Sequence, residues 1–413
     1  MAVAGLVQLA LFSYATAPGL AGTSDSRLYL YAAQALRDTG HLLNPDDSPY
    51  RYWPPLYPVL LRGCGSLAGI RLLHGACLLG SLLLWSGLGR QLLSARRSRV
   101  LPLLLALSTP WLLVGKFVWS ESVFVLLFAG YAALLFQWLR TGRWTWWSAA
   151  TAVGLLLPLQ RTLGLFLLAG VGVGLGLGAW RHLRPARRWQ LLLHLALSAG
   201  GGLLWQWYAL LLAGPSRYHP GRGWGPLLRA VADYGFVLSR WLLPLPASAR
   251  LLVPHAAWAL GLMLLFGLLW PRRTRAQRGT EGLEIPHPVL ADTDPASVSN
   301  ASSPAAHLLR GILWSTSVTL VALVAGLTVF GQSAANIHDA ERYASVLFGP
   351  VTLLVLAAWP ARAPRWLGPV LVAGWLLGAA LRAGHVARDL RRLTPVLFAG
   401  PAPHGQRVGA AGQ

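Results

Sequence analysis

Long apolar runs alternate with short polar segments along almost the whole chain. A helix that crosses the hydrocarbon core of a bilayer needs about 20 mostly apolar residues. The sequence predicts about eleven such helices, three of them short, at residues 2–20, 66–93, 100–115, 122–139, 144–159, 162–180, 190–213, 251–270, 308–330, 344–360 and 366–382. The first run has no basic residues before it and no small-residue cleavage site after it, so we expect a retained first helix and not a signal peptide. The expected fold class is an all-α, polytopic membrane bundle.

The polar segments divide the chain into regions. Residues 1–270 form an N-terminal membrane module that contains the outer loop 21–65, and residues 308–385 form the C-terminal membrane helices. Between them, residues 271–307 are rich in Pro, Ser, Ala and Asp without an apolar period, which predicts a flexible linker. Residues 386–413 form a basic tail.

Composition agrees with a chain embedded in lipid. Hydrophobic residues make up 55% and charged residues 12%, whereas soluble proteins carry about 25% charged residues. The net charge of +22 would suggest nucleic acid in a soluble protein. Here the cations lie between apolar runs and form no basic stripe, so we expect no nucleic-acid partner. Two cysteines exclude a disulfide framework or a cysteine-rich metal site.

The arginines indicate the orientation of the bundle. The positive-inside rule places Arg-rich short loops in the cytoplasm. The loops that set this side contain Arg96, Arg97, Arg99, Arg140, Arg143, Arg181, Arg184, Arg187, Arg188, Arg362 and Arg365. The loops 21–65, 214–250 and 331–343 then lie on the extracytoplasmic face of a plasma or inner membrane, and they mix acids, arginines and aromatic residues. We therefore expect the chemistry on that outer face.

The first outer loop carries a carboxylate beside a predicted helix. Apolar positions recur at helical spacing from Ser26 to Arg37, which predicts an amphipathic helix on the membrane surface. Asp25 lies immediately before it, in the N-cap position. Two roles are open for Asp25: a helix cap, or a base that takes a proton from an acceptor hydroxyl.

A proline-rich aromatic stretch, Trp53-Pro54-Pro55-Leu56-Tyr57-Pro58, follows in the same loop. Its prolines fix φ and remove hydrogen-bond donors, so we expect a rigid loop at the membrane interface. The aromatic residues of the loop either form the interfacial belt or contact the substrate. The candidates for contact are Tyr29, Tyr52, Trp53 and Tyr57.

Glu121 and Arg161 are isolated charges between apolar runs. An acid at membrane depth is energetically expensive and indicates function by default, although Glu121 could also cap a helix beside Lys116. Arg161 could bind a lipid phosphate through both arms of its guanidinium. Its alternative role is to extend to the headgroups as a simple anchor.

The last outer loop ends in His338-Asp339-Ala340-Glu341-Arg342-Tyr343, just before an apolar run. Arg342 and Tyr343 could hold an anionic headgroup through a guanidinium and a phenol. His338 is a further candidate for substrate contact. The spacing of His338, Asp339 and Glu341 matches no metal motif, so a divalent metal is possible but not indicated.

In their order along the chain, these motifs resemble the GT-C membrane glycosyltransferases. The nearest group is the bacterial relatives of dolichyl-phosphate-mannose protein mannosyltransferases and of the lipid A aminoarabinose transferase. The matching motifs are the acid of the first loop, Pro54-Pro55-Leu56-Tyr57-Pro58, Ser120-Glu121, Gln160-Arg161-Thr162-Leu163-Gly164 and Glu341-Arg342-Tyr343.

The resemblance implies roles for individual residues. Asp25 corresponds to the catalytic base or acceptor-orienting carboxylate of the family, and Glu121 corresponds to its second acid. Many members have an acidic pair in the first loop, whereas Asp25 stands between two serines here. Where some relatives place a phosphate-binding Lys, this chain has Trp53, so the phosphate role passes to Arg161, Arg342 or an arginine of loop 214–250.

The implied reaction is the transfer of a hexose or pentose, with inversion, from a polyprenyl-phosphate monosaccharide to an acceptor that is a glycan, a lipid or a protein. The leaving group is already a phosphate, so such an enzyme needs a base for the acceptor and charge stabilisation for the phosphate. A transporter or flippase is the alternative class, but its inverted repeats and midplane charges are not evident. A non-catalytic component of a glycan or lipid export system is a third.

Overall fold

The computed structural model describes residues 1–51, 53–178, 180, 185–212, 222–243, 245–246, 248–270, 303–333, 336–359 and 367–396. Within these residues the chain is helical and contains no β-strand. The helices are α1 (Ala2–Ala15), α2 (Ser24–Asp38), α3 (Leu56–Cys64), α4 (Leu67–Leu92), α5 (Ala95–Ala106), α6 (Thr109–Lys116), α7 (Glu121–Thr141), α8 (Trp144–Gln160), α9 (Leu163–Gly178), α10 (Pro185–Leu211), α11 (Trp224–Leu242), α12 (Ala249–Leu252), α13 (His255–Leu269), α14 (Pro304–Leu327), α15 (Ile337–Ala344), α16 (Phe348–Ala358) and α17 (Leu367–Arg391).

Each apolar run of the sequence coincides with one or more helices, and the all-α membrane fold is confirmed. Among the described residues, six helical stretches are long and apolar enough to cross a membrane. They are Leu67–Leu92, Ala95–Lys116, Glu121–Thr141, Pro304–Phe330, Ile337–Ala358 and Gly368–Arg391. Shorter apolar helices add Ala2–Ala15, Leu163–Gly178 and His255–Leu269.

Helices α9 and α14 pack most closely because glycines line their contact. A Cβ atom on Gly170 would lie 2.4 Å from the Cα atom of Thr316, so only glycine permits this approach. The Ser315 hydroxyl then donates to the Gly170 carbonyl at 2.7 Å. Small residues allow this close packing of helices in membranes, where apolar side chains gain little by leaving lipid.

The first outer loop is anchored at its start by backbone and side-chain hydrogen bonds. Ala21 N–H donates to the Lys116 carbonyl at 2.8 Å, and Val118 N–H donates to the Ala21 carbonyl at 3.0 Å. The buried Lys116 ammonium donates to the Ala15 and Gly19 carbonyls at 3.0 and 2.8 Å. Val396 N–H donates to the Leu20 carbonyl at 2.7 Å. These bonds place the start of α2 beside the junction of α6 and α7.

The structure differs from the sequence-based picture in three elements. The sequence predicts a long loop at 214–250 between membrane helices, but α11 occupies 19 of its residues, with Tyr234 and Trp241 on a buried face. The expected loop Trp53–Pro58 ends early, because α3 begins at Leu56 and takes Pro58 into its first turn. A proline fits there because the first N–H groups of a helix have no partner within the helix. Helix α17 continues nine residues beyond the predicted span, to Arg391.

The remaining domain predictions lie largely outside the described residues. Of the predicted linker 271–307, only the end is described, where Ser303 accepts the Ala306 N–H and begins α14. Of the predicted tail 386–413, residues 386–396 are described.

Candidate active site

Asp25 lies in the first turn of α2 but does not cap it. The helix begins two residues earlier than the sequence pattern suggests, so Asp25 occupies the second helical position. Thr23 is the N-cap, and its backbone N–H donates to Ser26 Oγ at 3.0 Å. The N-cap prediction for Asp25 is therefore wrong, because Thr23 and Ser26 satisfy this helix end. The Asp25 carboxylate is left to point toward another partner.

Glu121 is the first residue of α7. Its side chain is only 2% exposed. The preceding Ser120 is fully buried, and its carbonyl accepts from Gln160 Nε2 at 2.8 Å. The end of α8 therefore holds the start of α7, and the carboxylate of Glu121 is fixed in the interior of the bundle.

Arg161 and Arg342 both bind this carboxylate. Arg161 follows α8 as its C-cap residue, and its Nη1 contacts Glu121 Oε1. The same nitrogen donates to Ser120 Oγ at 3.3 Å. Arg342, in α15, donates from Nε to Glu121 Oε1 and from Nη1 to Asp25 Oδ2, the latter at 2.7 Å. The four side chains Asp25, Glu121, Arg161 and Arg342 form what we call the carboxylate–arginine cluster.

The cluster has no net formal charge, and its four side chains differ in their exposure to solvent. Two carboxylates face two guanidiniums, so the formal charges cancel. The side chains of Arg161 and Arg342 are 12% and 10% exposed. Asp25 is the most accessible member, at 21%. Neither arginine extends outward in the manner of a simple headgroup anchor, and the accessible carboxylate is the one from the outer loop.

Aromatic rings support both arginines. The guanidinium carbon of Arg342 lies 4.3 Å from the ring centre of Trp119, and that of Arg161 lies 5.2 Å from the ring centre of Tyr343. The Trp119 ring is itself fixed, because its Nε1 donates to Thr23 Oγ1 at 2.9 Å. Such cation–π contacts favour the charged group electrostatically and restrict its orientation.

Tyr29 and Tyr57 lie behind the cluster in a buried layer. The Tyr29 hydroxyl lies 3.4 Å from Ser120 Oγ, and its ring meets that of Tyr57 edge-on at 4.9 Å between centres. The Tyr57 hydroxyl lies 2.9 Å from His74 Nε2. Burial raises the pKa of the Tyr29 phenol well above its usual range, against the opposing effect of Arg161. The phenol therefore stays neutral, and the structure places these two tyrosines under the cluster and not at its surface.

The other residues predicted to contact the substrate lie apart from the cluster or outside the described residues. Trp53 is half-buried against the apolar residues under the first loop. His338 is exposed on α15, one turn before Arg342. Tyr52 lies outside the described residues.

The described residues hold no group of three His, Cys, Asp or Glu side chains arranged to bind a metal ion. Two acids of the last outer loop have other partners. Asp339 Oδ2 accepts from Asn336 Nδ2 at 2.6 Å, and Glu341 Oε1 accepts from Arg240 Nη1 at 2.9 Å.

Sequence reasoning missed the supporting residues Trp119, Ser120 and Gln160 as parts of the site. Their signal is local: each is a polar or amphipathic side chain within two residues of Glu121 or Arg161 and enclosed by apolar runs. Such a residue at membrane depth needs a hydrogen-bond partner, and the isolated charge beside it is the nearest candidate.

Comparison with known proteins gives a likeness of structure but not of sequence. No protein-family model matches the chain, and no curated protein sequence matches it. The crystal structure of ArnT from Cupriavidus metallidurans bound to undecaprenyl phosphate is similar, with a TM-score of 0.58 at 12% identity, over 94% of this chain and 75% of that chain. The same protein in the apo state gives a TM-score of 0.56 at 13% identity, over 94% and 74% of the two chains. The chain therefore shares the fold of ArnT.

A third similar structure is the cryo-EM structure of the arabinosyltransferase EmbB from Mycobacterium smegmatis. Its TM-score is 0.46 at 15% identity, over 94% of this chain and 40% of that chain.

The geometry of the cluster suits acid–base chemistry beside an anion. An accessible carboxylate beside two fixed guanidiniums can accept a proton while an adjacent anion gains charge. The expected likeness of fold is thus confirmed.

Proposed function

We propose that this protein is a membrane glycosyltransferase that moves a sugar from a polyprenyl-phosphate donor to an acceptor on the extracytoplasmic face. The observation that carries the proposal is the carboxylate–arginine cluster, which joins an outer-loop carboxylate to two buried guanidiniums. The GT-C fold supports it, since ArnT, which has this fold, has been crystallised with undecaprenyl phosphate. The arginine pattern supports the extracytoplasmic placement of the site, and we propose a plasma or inner membrane as its location.

In this proposal Asp25 is the base. It is the most exposed carboxylate of the cluster and lies in the first turn of α2, in the first loop. Asp25 takes the proton of the acceptor hydroxyl as its oxygen attacks the anomeric carbon, and the bond from that carbon to the phosphate oxygen breaks. Attack from the face opposite the leaving group inverts the anomeric configuration. The products are the glycosylated acceptor and a polyprenyl phosphate.

Arg161 and Arg342 are proposed to bind the donor phosphate. The phosphodiester of the donor carries one negative charge, and the leaving phosphate carries up to two, so charge develops where guanidiniums can stabilise it. At the same moment Asp25 becomes neutral by taking the proton. Arg342 contacts Asp25. When the Asp25 carboxylate loses its charge, Arg342 is attracted to it less strongly and can interact more strongly with the phosphate. The arginine therefore couples proton removal to departure of the leaving group.

Glu121 has a positioning role in this scheme. At 2% exposure and with two guanidiniums on one oxygen, its carboxylate does not reach an acceptor. It fixes the spacing of Arg161 and Arg342 and neutralises part of their mutual repulsion. We accordingly assign proton transfer to Asp25 alone, although the sequence offered both acids as catalytic.

Tyr343 and the outer aromatic residues complete the proposed donor site. Tyr343 stacks beneath Arg161 and restricts its motion, while Trp119 does the same for Arg342. Tyr29 and Tyr57 lie in the buried layer behind the cluster and support it from inside the bundle. Tyr52, Trp53 and His338 stay proposed substrate contacts, on the strength of their place in the outer loops.

The decisive experiment supplies candidate donors to membranes that contain or lack the protein. Membranes are incubated with a panel of radiolabelled polyprenyl-phosphate monosaccharides, and the glycan, lipid and protein fractions are counted. We expect label to enter one fraction only when the protein is present. A transporter or flippase would instead change the leaflet distribution of the donor without forming a new glycosidic bond. Absence of transfer with every donor of the panel, from protein shown to be folded, would contradict the proposed activity.

A further inference from the structure

A second concentration of positive charge lies at the opposite end of the bundle from the carboxylate–arginine cluster. Arg96 and Arg97 lie in the first turn of α5, and Arg310 lies near the start of α14. Helices α5 and α6 run from there to Lys116 beside the start of the outer loop, a path of about 30 Å at 1.5 Å per residue. These three arginines therefore face the membrane surface opposite to Asp25.

The three arginines line one cavity, which we call the basic cavity. Its volume is about 400 Å³, within the range of roughly 300–1,000 Å³ of small-molecule sites. The remaining lining residues are uncharged and mostly apolar: Leu92, Leu93, Ser94 and Ala357. No acidic side chain is among the described residues that line it. A cavity with cationic groups and apolar walls fits an anion that carries an apolar part.

Arg97 builds one wall of the basic cavity. Its Nη1 donates to the carbonyls of Leu356 and Ala357 at 3.2 and 3.3 Å, and its Nη2 donates to the Trp359 carbonyl at 2.9 Å. It therefore closes the C-terminal end of α16 and fixes this end to α5. Positive charge is favourable there, since the last carbonyls of a helix carry partial negative charge.

Arg96 and Arg310 present their charge to the cavity from different helices. Arg96 is exposed at the start of α5, and Arg310 is half-buried in α14, where its Nε also donates to the Ala306 carbonyl at 3.3 Å. The two residues are more than 200 positions apart in the chain, so only folding brings them to one cavity. The need for positive charge on one side of a membrane explains arginines at helix ends, but it does not explain their convergence on a cavity of this size.

We propose that the basic cavity binds the phosphate headgroup of an anionic phospholipid from the adjacent leaflet. Guanidiniums bind phosphate oxygens in a planar, two-pronged geometry. Basic pockets between membrane helices on the cytoplasmic side recognise such headgroups. The apolar wall of Leu92, Leu93 and Ala357 favours a lipid over a soluble phosphate, since it offers contact to the glycerol and the first acyl carbons. The bound lipid joins α5, α14 and α16, and this role is independent of the proposed transfer reaction.

The test measures retention of phosphatidylglycerol by the full-length protein in phosphatidylcholine nanodiscs, with native mass spectrometry as readout. Arg96→Gln and Arg310→Gln are each expected to weaken retention about fivefold, the equivalent of about 1 kcal/mol for one cationic residue at a lipid surface. Arg310→Lys keeps the charge but loses the two-pronged geometry, so its retention should lie between that of the wild type and that of Arg310→Gln. Arg99→Gln is the matched control, since Arg99 is exposed on the same helix but does not line the cavity.

Three outcomes would overturn the proposal. The first is equal retention in all variants, and the second is a loss in Arg99→Gln as large as in Arg96→Gln, which would indicate a diffuse surface charge. The third comes from a separate arm, in which soluble glycerol phosphate is added to nanodiscs that lack phosphatidylglycerol. If glycerol phosphate binds with the same dependence on Arg96 while phosphatidylglycerol is not retained, the site is one for a soluble anion. Arg96 is exposed, so its variant is expected to fold even if a change at Arg310 does not.

Discussion

Arg342 Nη1 lies 2.7 Å from Asp25 Oδ2, and the Nε atom of the same guanidinium bonds Glu121. The donors of a guanidinium lie in one plane at fixed angles. Arg342 therefore fixes the orientation of the outer-loop carboxylate relative to a carboxylate inside the bundle. An ammonium group has all its donors on one nitrogen and cannot reproduce both contacts in this geometry.

We expect Arg342→Lys to lower kcat/KM for the donor by roughly 10- to 150-fold. This corresponds to about 1.5–3 kcal/mol, the net value of a hydrogen bond to a charged group. Donor titration of the purified variant in nanodiscs measures the effect. Arg240→Lys is the matched control, because Arg240 also pairs with a carboxylate, that of Glu341, outside the cluster. A donor dependence like that of the wild type would remove Arg342 from the phosphate site.

Tyr343→Phe should reduce donor use less than Arg342→Lys does. Phenylalanine keeps the ring that lies beneath Arg161 and loses only a neutral hydroxyl. The same donor titration compares the two variants. A larger loss for Tyr343→Phe would indicate that the phenol itself bonds the substrate.

Asp25→Asn should leave the protein folded and reduce transfer by roughly 10²- to 10⁴-fold, the usual contribution of a general base. Folding should survive because Thr23 and Ser26, and not Asp25, satisfy the start of α2. The readout is kcat at saturating donor, together with the midpoint of thermal unfolding. Asp38→Asn is the control on the same helix, since Asp38 is exposed and accepts from Gln34 Nε2. Unchanged turnover in the Asp25 variant would reduce Asp25 to an ion-pair partner of Arg342.

Glu121→Gln should destabilise the bundle more than a surface change does. Removal of one partner from a buried ion pair costs about 3–5 kcal/mol, because the remaining charge stays buried. Here two guanidiniums lose their shared carboxylate. Thermal unfolding in detergent compares this variant with Glu341→Gln, whose pair with Arg240 is more exposed and should contribute about 1 kcal/mol or less. Equal shifts in the unfolding midpoint would show that the burial of Glu121 has no energetic consequence.

Trp119→Leu should weaken donor use by removing the ring beneath Arg342. A cation–π contact of this kind contributes about 0.5–2 kcal/mol, which corresponds to a loss of roughly 2- to 30-fold. Trp119→Phe keeps a ring and loses the bond from Nε1 to Thr23, so its effect should be smaller. If the leucine and phenylalanine variants behave alike, the hydrogen bond to Thr23 and not the ring is the important contact.

The hydropathy pattern predicted the helices that face lipid, but it did not predict α11. Apolar positions of α11 recur at Leu227, Ala230, Tyr234, Val237 and Trp241, which is a helical period. The helix was overlooked because arginines and an aspartate interrupt the run, so it falls below the hydropathy of a membrane span. Its buried Asp233 is paired with Arg250 at 2.8 Å, a contact that no local pattern reveals.

The sequence predicted which residues belong to the site but not which contacts they make with one another. Isolation of Glu121 and Arg161 within apolar runs identified them, because an unpartnered charge is expensive in a membrane. That Arg342 binds both carboxylates depends on packing between residues 221 positions apart. A one-dimensional pattern could not exclude an outward-pointing Arg342, since a long arginine side chain at a helix end can also reach the headgroups.

The separation of the cluster members along the chain sets an order of assembly during biosynthesis. Glu121 and Arg161 are neighbours across a single helical hairpin, α7 and α8, so the acid acquires a countercharge early, while later helices are still on the ribosome. Asp25 has no such early partner: its guanidinium arrives with α15, more than 300 residues later. The nascent N-terminal helices can thus enter the bilayer without an unpaired buried acid, yet Asp25 has no countercharge until the late helices are inserted. The carboxylate–arginine cluster is therefore incomplete in the half-made chain.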